Sequence, residues 1–372
     1  MYYRLNEKYI LRGWEGAAWI LVQRPQNWLW KLSEKQFQAL MLCDGETDLS
    51  DLFLLTSIGR ELKQFQEDEV VEACSYCTPL ESEQYYRYYN NKLVQRVFWS
   101  ITGKCNFHCR HCYMDAPNEA LGDLSTEEAF DLIDQMAECG VQNISITGGE
   151  PFIRKDFWDL IDRIITHKIR VHTICSNGWL LNNTVLDNFE CRGIKPSFQI
   201  SFDGVGWHDW MRGVPGAEEA ALRAFELCYK RGFQATASVC IHRGNLHTLP
   251  QTVEILHKVG VKRIKTANVD ETKLWQCHCD GNAMSQQEYI ESMIPYITWY
   301  YQSGRPIEDL EIGDVARLRY NEPGKINAIC YDGTESCLDC NLCDAARWAC
   351  YITPEGRLLP CMPMTASPEQ SK

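Results

Sequence analysis

Three cysteines in one short stretch, Cys105-Asn-Phe-His-Cys109-Arg-His-Cys112, have the spacing to close on an inorganic group. Thiolates this near in sequence can cap three irons of a 4Fe-4S cube, and such cubes are ordinarily held by four protein thiolates. A corner without a protein ligand is open to an exchangeable one. The competing chemistry is zinc, with His108 or His111 completing the site, although zinc loops more often pair one C-x2-C with a distant second pair.

A second cysteine group lies near the end of the sequence at Cys330, Cys337, Cys340, Cys343, Cys350 and Cys361. Cys337-x2-Cys340-x2-Cys343 has ferredoxin-like spacing, compact enough to wrap a cube that Cys350 or Cys361 could close. A structural zinc ribbon is the alternative. Cys277-His-Cys279 has no clear role, and Cys43, Cys74, Cys77, Cys139, Cys175, Cys191, Cys228 and Cys240 are scattered, as small buried hydrophobes would be. The chain has 19 cysteines and no export signal in its first residues, so the expected compartment is the reducing cytoplasm. Metal or redox chemistry is then a better reading than disulfides.

The elements around the first group follow a simple order. From Val94 onward, short β-rich runs alternate with helical stretches: 97–101 and helix 125–139, 144–147 and helix 156–167, 171–175 and helix 182–190, 198–202 and helix 217–231, then 235–241, helix 246–259 and 261–267. Six strands with five intervening helices predict a parallel sheet with right-handed crossovers and all strand C-termini on one side. Ligand-binding groups gather on that side. Each of the first four strand ends carries useful residues: the cysteines, then Gly148-Gly149-Glu150-Pro151, then Ser176-Asn177-Gly178, then Ser201 and Asp203. Glycines allow close approach of the backbone, and a carboxylate can bind an ammonium.

The cysteine run, with His111 before its last Cys and Tyr113 after it, resembles together with Gly148-Gly-Glu-Pro151 the signature of the radical S-adenosylmethionine (radical SAM) superfamily. The resemblance implies a cluster on Cys105, Cys109 and Cys112 whose open iron binds SAM, with His111 in the cofactor-binding set. It implies that Gly148, Gly149, Glu150 and Pro151 orient the SAM amino group, that Asn177, Ser201 and Asp203 contact SAM, and that Arg212 pairs with its carboxylate. An electron from a flavodoxin- or ferredoxin-type donor would split SAM, and the resulting 5′-deoxyadenosyl radical would take a substrate hydrogen. Cys343, Gly356 and Cys361 fit C-x12-G-x4-C, which is similar to the opening of the SPASM extension. That implies at least one auxiliary iron-sulfur cluster, or a shorter twitch-like extension with a single one.

Residues 1–92 read as a separate module. Strands at 17–22 and 28–30 lead to a capping box, Ser33-x-x-Gln36, that opens a helix ending at Asp44-Gly45. Further helices are expected at 49–55 and within 61–77, and the tyrosine-rich stretch 81–91 reads as a linker. Strands followed by short helices suggest a winged-helix-like unit. The strand and the stretch Leu32-Ser-x(6)-Leu40-x(3)-Asp44-Gly45-x(3)-Leu49 resemble the PqqD-like element that takes a leader peptide as an added β-strand.

The expected architecture is α/β: a partial (β/α)6 TIM-like barrel over 93–280, preceded by the winged-helix-like module and followed over 281–372 by a Cys-rich iron-sulfur extension. Residues 288–301 read as a helix and the stretch beyond them as irregular. The expected function is maturation of a ribosomally made precursor peptide by hydrogen abstraction, ending in a thioether or carbon-carbon crosslink or an epimerised centre. A sulfatase-maturing or cofactor-building radical SAM enzyme, and a non-catalytic iron-sulfur or zinc protein, are the rivals. The formal charge of −13 and the absence of clustered Lys and Arg speak against nucleic acid. No run approaches the roughly 20 apolar residues of a membrane span.

Overall fold

The computed structural model describes residues 1–51, 57–116, 121–304, 306–313, 316–319 and 348–362. The chain divides into two units: residues 1–95 with 133–143 and 167–170, and the remainder. Among the described residues, no helix is long and apolar enough to cross a membrane.

The first unit contains β1 (Tyr2–Leu5), β2 (Tyr9–Glu15), β3 (Ala17–Gln23), β4 (Trp28–Lys31), α1 (Glu34–Met41), α2 (Ser57–Glu67), β5 (Val71–Cys74) and β6 (Arg87–Lys92). The capping box forms as its residue types predict: Ser33 accepts from the Gln36 N–H while the Gln36 side chain returns to Ser33. Two expectations are corrected. The helix expected within 61–77 stops at Glu67, and Val71–Cys74 pairs antiparallel with β1. The supposed linker holds β6, which lies parallel to β2 in a sheet of order β4-β3-β2-β6. β6 buries only Tyr89 fully, so its polar sequence hides a strand that pairs through its backbone. The helix expected at 49–55 lies mostly outside the described residues.

The rest of the chain contributes β7 (Arg96–Ser100), α3 (Thr126–Glu138, whose residues from Ile133 onward fall in the first unit), β8 (Asn143–Thr147), α4 (Phe157–Thr166), β9 (Arg170–Ser176), α5 (Asn183–Cys191) and β10 (Ser197–Ser201). It continues with α6 (His208–Arg212), α7 (Ala217–Lys230), β11 (Ala235–Ile241), α8 (Leu249–Lys258), β12 (Arg263–Asn268), α9 (Lys273–His278) and α10 (Gln286–Gln302). Four short strands follow: β13 (Asp309–Ile312), β14 (Ala316–Arg319), β15 (Ala349–Ile352) and β16 (Leu358–Leu359).

The sheet order is β14-β13-β12-β11-β10-β9-β8-β7-β15-β16, so strands adjacent in sequence are neighbours in space across its middle. β9 through β13 run parallel, as do β7 and β15, and antiparallel pairs close both edges. All five residues of β8 are buried, as befits a strand covered on both faces. The largely parallel sheet expected from the alternation is therefore present. The stretch beyond α10 is less irregular than expected, because β13 extends the parallel sheet and β14 returns along it.

The scattered cysteines do not behave alike. Cys43 and Cys228 are buried, as expected of small hydrophobes, but Cys77, Cys139 and Cys191 are exposed. Cys337, Cys340, Cys343 and Cys330 lie outside the described residues. Cys350 stands on β15 opposite Val97, and Cys361 follows β16.

Candidate active site

The cysteine loop leaves the end of β7 and is held by what surrounds it. Gly149 donates its N–H to the Thr102 carbonyl at 2.8 Å, and Glu150 to that of Lys104 at 2.9 Å. A Cβ on Gly149 would stand 1.9 Å from the Lys104 oxygen, and one on Gly148, at φ +144°, would stand 2.6 Å from that of Thr102. The sequence reading gave these glycines to the approach of a ligand; the structure gives both missing side chains to the cysteine loop's own backbone.

The other side of the loop rests on α6. The N–H groups of His108 and Arg110 donate to the carbonyls of Arg212 and Met211 at 3.2 and 2.9 Å, and Arg110 Nε donates to the Trp210 carbonyl at 3.0 Å. A helix C-terminus leaves such carbonyls without intrahelical partners, and here the cysteine loop supplies the donors. Gly213 ends α6 with φ +66°, and a Cβ there would meet the His108 oxygen at 2.4 Å. The sequence reading missed this five-residue helix. Arg212-Gly213, a basic residue followed by glycine, was its one local signal.

The thiols sit in a shielded environment. Burial pushes Cys105 up to about 12 and raises Cys109, whose thiol is opposed in this only by nearby Arg212. Free thiolates would be costly here, so the loop suits a strongly positive inorganic group that holds the sulfurs deprotonated. Backbone N–H groups point at two of the sulfurs: Phe107 to Cys105 and Ala116 to Cys112, each at 3.4 Å.

Among the described residues, one set of three possible ligand atoms lies within 4.8 Å of one another, namely His111, Asp203 and Cys240. The three loop thiols do not form such a set. A single zinc ion would draw its sulfurs to about 3.8 Å apart at ordinary bond lengths. Three thiols on one loop are a donor set that can cap three irons of a four-iron cube. The His111, Asp203 and Cys240 set is poorly suited to a cation, because Arg212 already occupies the carboxylate.

Two buried carboxylates flank this loop. Glu150, at the end of β8, accepts from the Asn177 N–H at 2.8 Å and from the Ser176 hydroxyl at 3.0 Å, with no cation against it among the described residues. Burial pushes its carboxyl up to about 7 against the pull of those hydrogen bonds. Asp203, beyond β10, is gripped by Arg212 through two bonds, Nε to Oδ2 at 2.6 Å and Nη2 to Oδ1 at 3.1 Å. Burial alone would raise Asp203, but Arg212 and His208 overcome it and hold the carboxyl well below the usual range.

The backbone N–H groups of Cys240 and Asp203 also settle here, on Asp203 Oδ1 at 3.1 Å and on His208 Nδ1 at 2.9 Å. Asp203 and Arg212, both expected to contact SAM, are paired with each other here, and Asp203 is wholly buried. Their separation of nine residues spans α6, and nothing in the local sequence announces the pairing.

The remaining expected residues are distributed along the same rim. Asn177 donates to Asn106 of the cysteine loop at 2.8 Å and accepts from the Trp179 N–H, which ties the end of β9 to the loop. Ser201 is half-buried at the end of β10, and Pro151 is buried in a short turn after Glu150. Burial pushes His111 down to about 3, helped by Arg212, so it stands neutral. His242, beyond β11, is pushed down to about 4 by burial and packs among Trp207, Trp210 and Trp275. At the C-terminal end of β12 a cavity of about 280 Å³ is lined by Asn268, Asp270, Glu271, Gln286 and Tyr289.

Residues 99–263 match the radical SAM superfamily. The chain carries a radical SAM domain. The cofactors of such a domain are a 4Fe-4S cluster and SAM. The chain is 33% identical to the PqqA peptide cyclase of Granulibacter bethesdensis over 45% of its own length and 46% of that protein's. It is also 33% identical to the Fe-coproporphyrin III synthase of Methanosarcina barkeri, over 45% of this chain and 42% of the relative. Against the mycofactocin maturase MftC of Mycobacterium tuberculosis it is 27% identical over 71% of this chain and 63% of the other. The chain thus spans less than half the length of the first two relatives.

Among solved structures, Streptococcus suis SuiB bound to the precursor peptide SuiA aligns over 98% of this chain and 84% of its own, with a TM-score of 0.68 at 13% identity. At that identity the likeness speaks for the fold around the radical SAM domain.

Proposed function

We propose that this chain is a radical SAM maturase that modifies a ribosomally made precursor peptide, built as a leader-recognition module over 1–92, a radical SAM core over 93–280 and an auxiliary-cluster extension over 281–372. Cys105, Cys109 and Cys112 would hold the cluster, and Cys337, Cys340, Cys343, Cys350 and Cys361 are the candidate ligands of a second one. When bound, the cluster and SAM supply a carbon radical strong enough to remove a hydrogen from a peptide side chain or α-carbon, given one electron from a flavodoxin- or ferredoxin-type donor.

The protein's own residues bind and orient. The observation that carries the reading is Glu150: a wholly buried carboxylate with no cationic partner among the described residues, fixed beside the cysteine loop by Ser176 and Asn177. The ammonium of SAM is the partner it lacks, and in a shielded site that contact is worth far more than on the surface. Asn177 holds the loop to β9 through Asn106, and Gly148 and Gly149 let the loop lie flat on the end of β8. His111 and Ser201 line the same rim. The cavity beyond β12 offers space on that rim for a substrate side chain.

The peptide substrate is supported by the longer alignment with the mycofactocin maturase and by the match to the peptide cyclase. A tetrapyrrole substrate is the second reading, favoured by equal identity to the Fe-coproporphyrin III synthase over an equal share, 45%, of this chain. Anaerobic reconstitution, reduction and SAM addition test the enzyme reading: 5′-deoxyadenosine is expected, and its absence from cluster-loaded protein rejects the proposal. Stimulation of that reaction by a leader-bearing peptide, and not by a porphyrin, separates the two substrates.

A further inference from the structure

Arg212 is usually exposed chemistry placed in an unusual setting. Its guanidinium is almost wholly buried, forked onto Asp203, and its remaining nitrogen Nη1 points at Cys109 Sγ at 3.8 Å, within reach of an N–H···S hydrogen bond. Asp203 is itself fixed by the Cys240 N–H, and Asn245 holds the Asp203 carbonyl at 2.6 Å. The main chain of Arg212 also carries the loop, through the His108 N–H. The guanidinium is thereby aimed at one sulfur of the cysteine loop by a rigid acidic clamp.

We propose that the Asp203–Arg212 pair sets the reduction potential of the cluster, with Arg212 as the donor to the Cys109 sulfur and Asp203 as the group that aims it and offsets its charge. The inference rests on Cys109 being a cluster ligand, as argued under the proposed function. Taking up one electron from an external low-potential donor adds one negative charge to the cluster and breaks no bond. Hydrogen bonds to the sulfurs and nearby positive charge stabilise the more negative, reduced form and raise the potential. A guanidinium in a shielded interior does both. Arg212 therefore favours reduction, and the Asp203 carboxylate opposes it by neutralising part of that field.

The pair makes a prediction of sign that a merely structural role does not. Replacing Arg212 removes the positive group and lowers the potential. Replacing Asp203 by its neutral isostere removes the negative one and raises it. Potentiometric titration of the reduced cluster signal by electron paramagnetic resonance reads this directly, without turnover.

The experiment uses the full chain, reconstituted anaerobically, with iron content measured for each protein. Arg212→Lys keeps the charge and loses the fork, and Arg212→Gln loses both. The reduced-to-oxidised ratio at a fixed potential is expected to fall at least about tenfold in Arg212→Gln, equivalent to about 59 mV for one electron. Arg212→Lys is expected to fall between that variant and the parent, and Asp203→Asn to shift the opposite way. Shifts of the same sign at both positions, or none, overturn the proposal. Should Arg212→Gln fail to retain iron, Arg212→Lys and Asp203→Asn still decide the sign. A parent protein that takes up no iron contradicts the cluster assignment itself, an outcome distinct from an unshifted potential.

Discussion

The ends of β8 and β10 each carry one buried carboxylate, and the two have opposite fates. Asp203 meets Arg212 inside the protein and is held charged, its carboxyl well below the usual range. Glu150 is equally buried but meets dipoles, the N–H groups of Asn177 and Phe152 and the Ser176 hydroxyl, and its carboxyl rises to about 7. Burial is the same in both; the difference is the cation. A buried charge that the fold completes is structural, whereas one that the fold leaves open is a place for a cationic ligand.

Breaking the completed pair should have the largest effect. Asp203→Ala strands the Arg212 guanidinium in the interior, and loss of one member of a buried ion pair costs about 3–5 kcal/mol. Chemical denaturation of the apo-protein at pH 7 checks this; a loss below about 1 kcal/mol would mean that the pair is solvated in solution.

Glu150 should give the reverse. Its folded carboxyl titrates above its unfolded one, so its contribution to stability is full below about pH 4.5 and is lost as pH rises through about 7. The raised value corresponds to about 3 kcal/mol of penalty at alkaline pH in the absence of a cation. Glu150→Gln is therefore expected to stabilise the apo-protein at pH 8 and to leave it little changed at pH 4.5. Parallel denaturation curves for the two proteins at both pH values would contradict the assignment. The same substitution should weaken SAM binding about 10- to 100-fold, the cost of a lost charge-assisted hydrogen bond, measured by calorimetry on the reconstituted protein.

The smallest effect is expected at the rim. Arg110 lies over the Trp210 ring at 4.5 Å and reaches Asp280 at 3.3 Å, but Asp280 is 62% exposed. Solvent screens such pairs, so Asp280→Ala should change stability by less than about 1 kcal/mol and leave iron content unaltered. A drop in iron uptake in that variant would show that the α9 end, and not only α6, holds the cysteine loop.

Much of this site was legible in the sequence because its chemistry is local. Cys105, Cys109 and Cys112 share one loop, Gly148 to Glu150 are consecutive, and the strands from β7 to β12 follow the β-α alternation of a parallel sheet. What escaped detection depends on pairings that sequence spacing does not encode. The five residues of α6 are too few to show helical period, so the role of Arg212 as the loop's anchor stayed hidden. The mutual grip of Asp203 and Arg212 is tertiary. In the first unit, Arg87–Lys92 reads as a linker because its polar side chains face outward while its backbone pairs with β2. The glycines were read correctly as close-approach positions, but the approaching group is the chain itself.

The most direct test of Glu150 as the unfinished pair is the proton exchanged when SAM binds. A carboxyl that titrates near pH 7 and gains an ammonium partner must give up its proton, so calorimetry at pH 7 in two buffers of different ionisation enthalpy should show proton release on binding to the reconstituted protein. That release should vanish in Glu150→Gln. Equal proton exchange in the two proteins would contradict the assignment of Glu150 as the group that receives the ammonium.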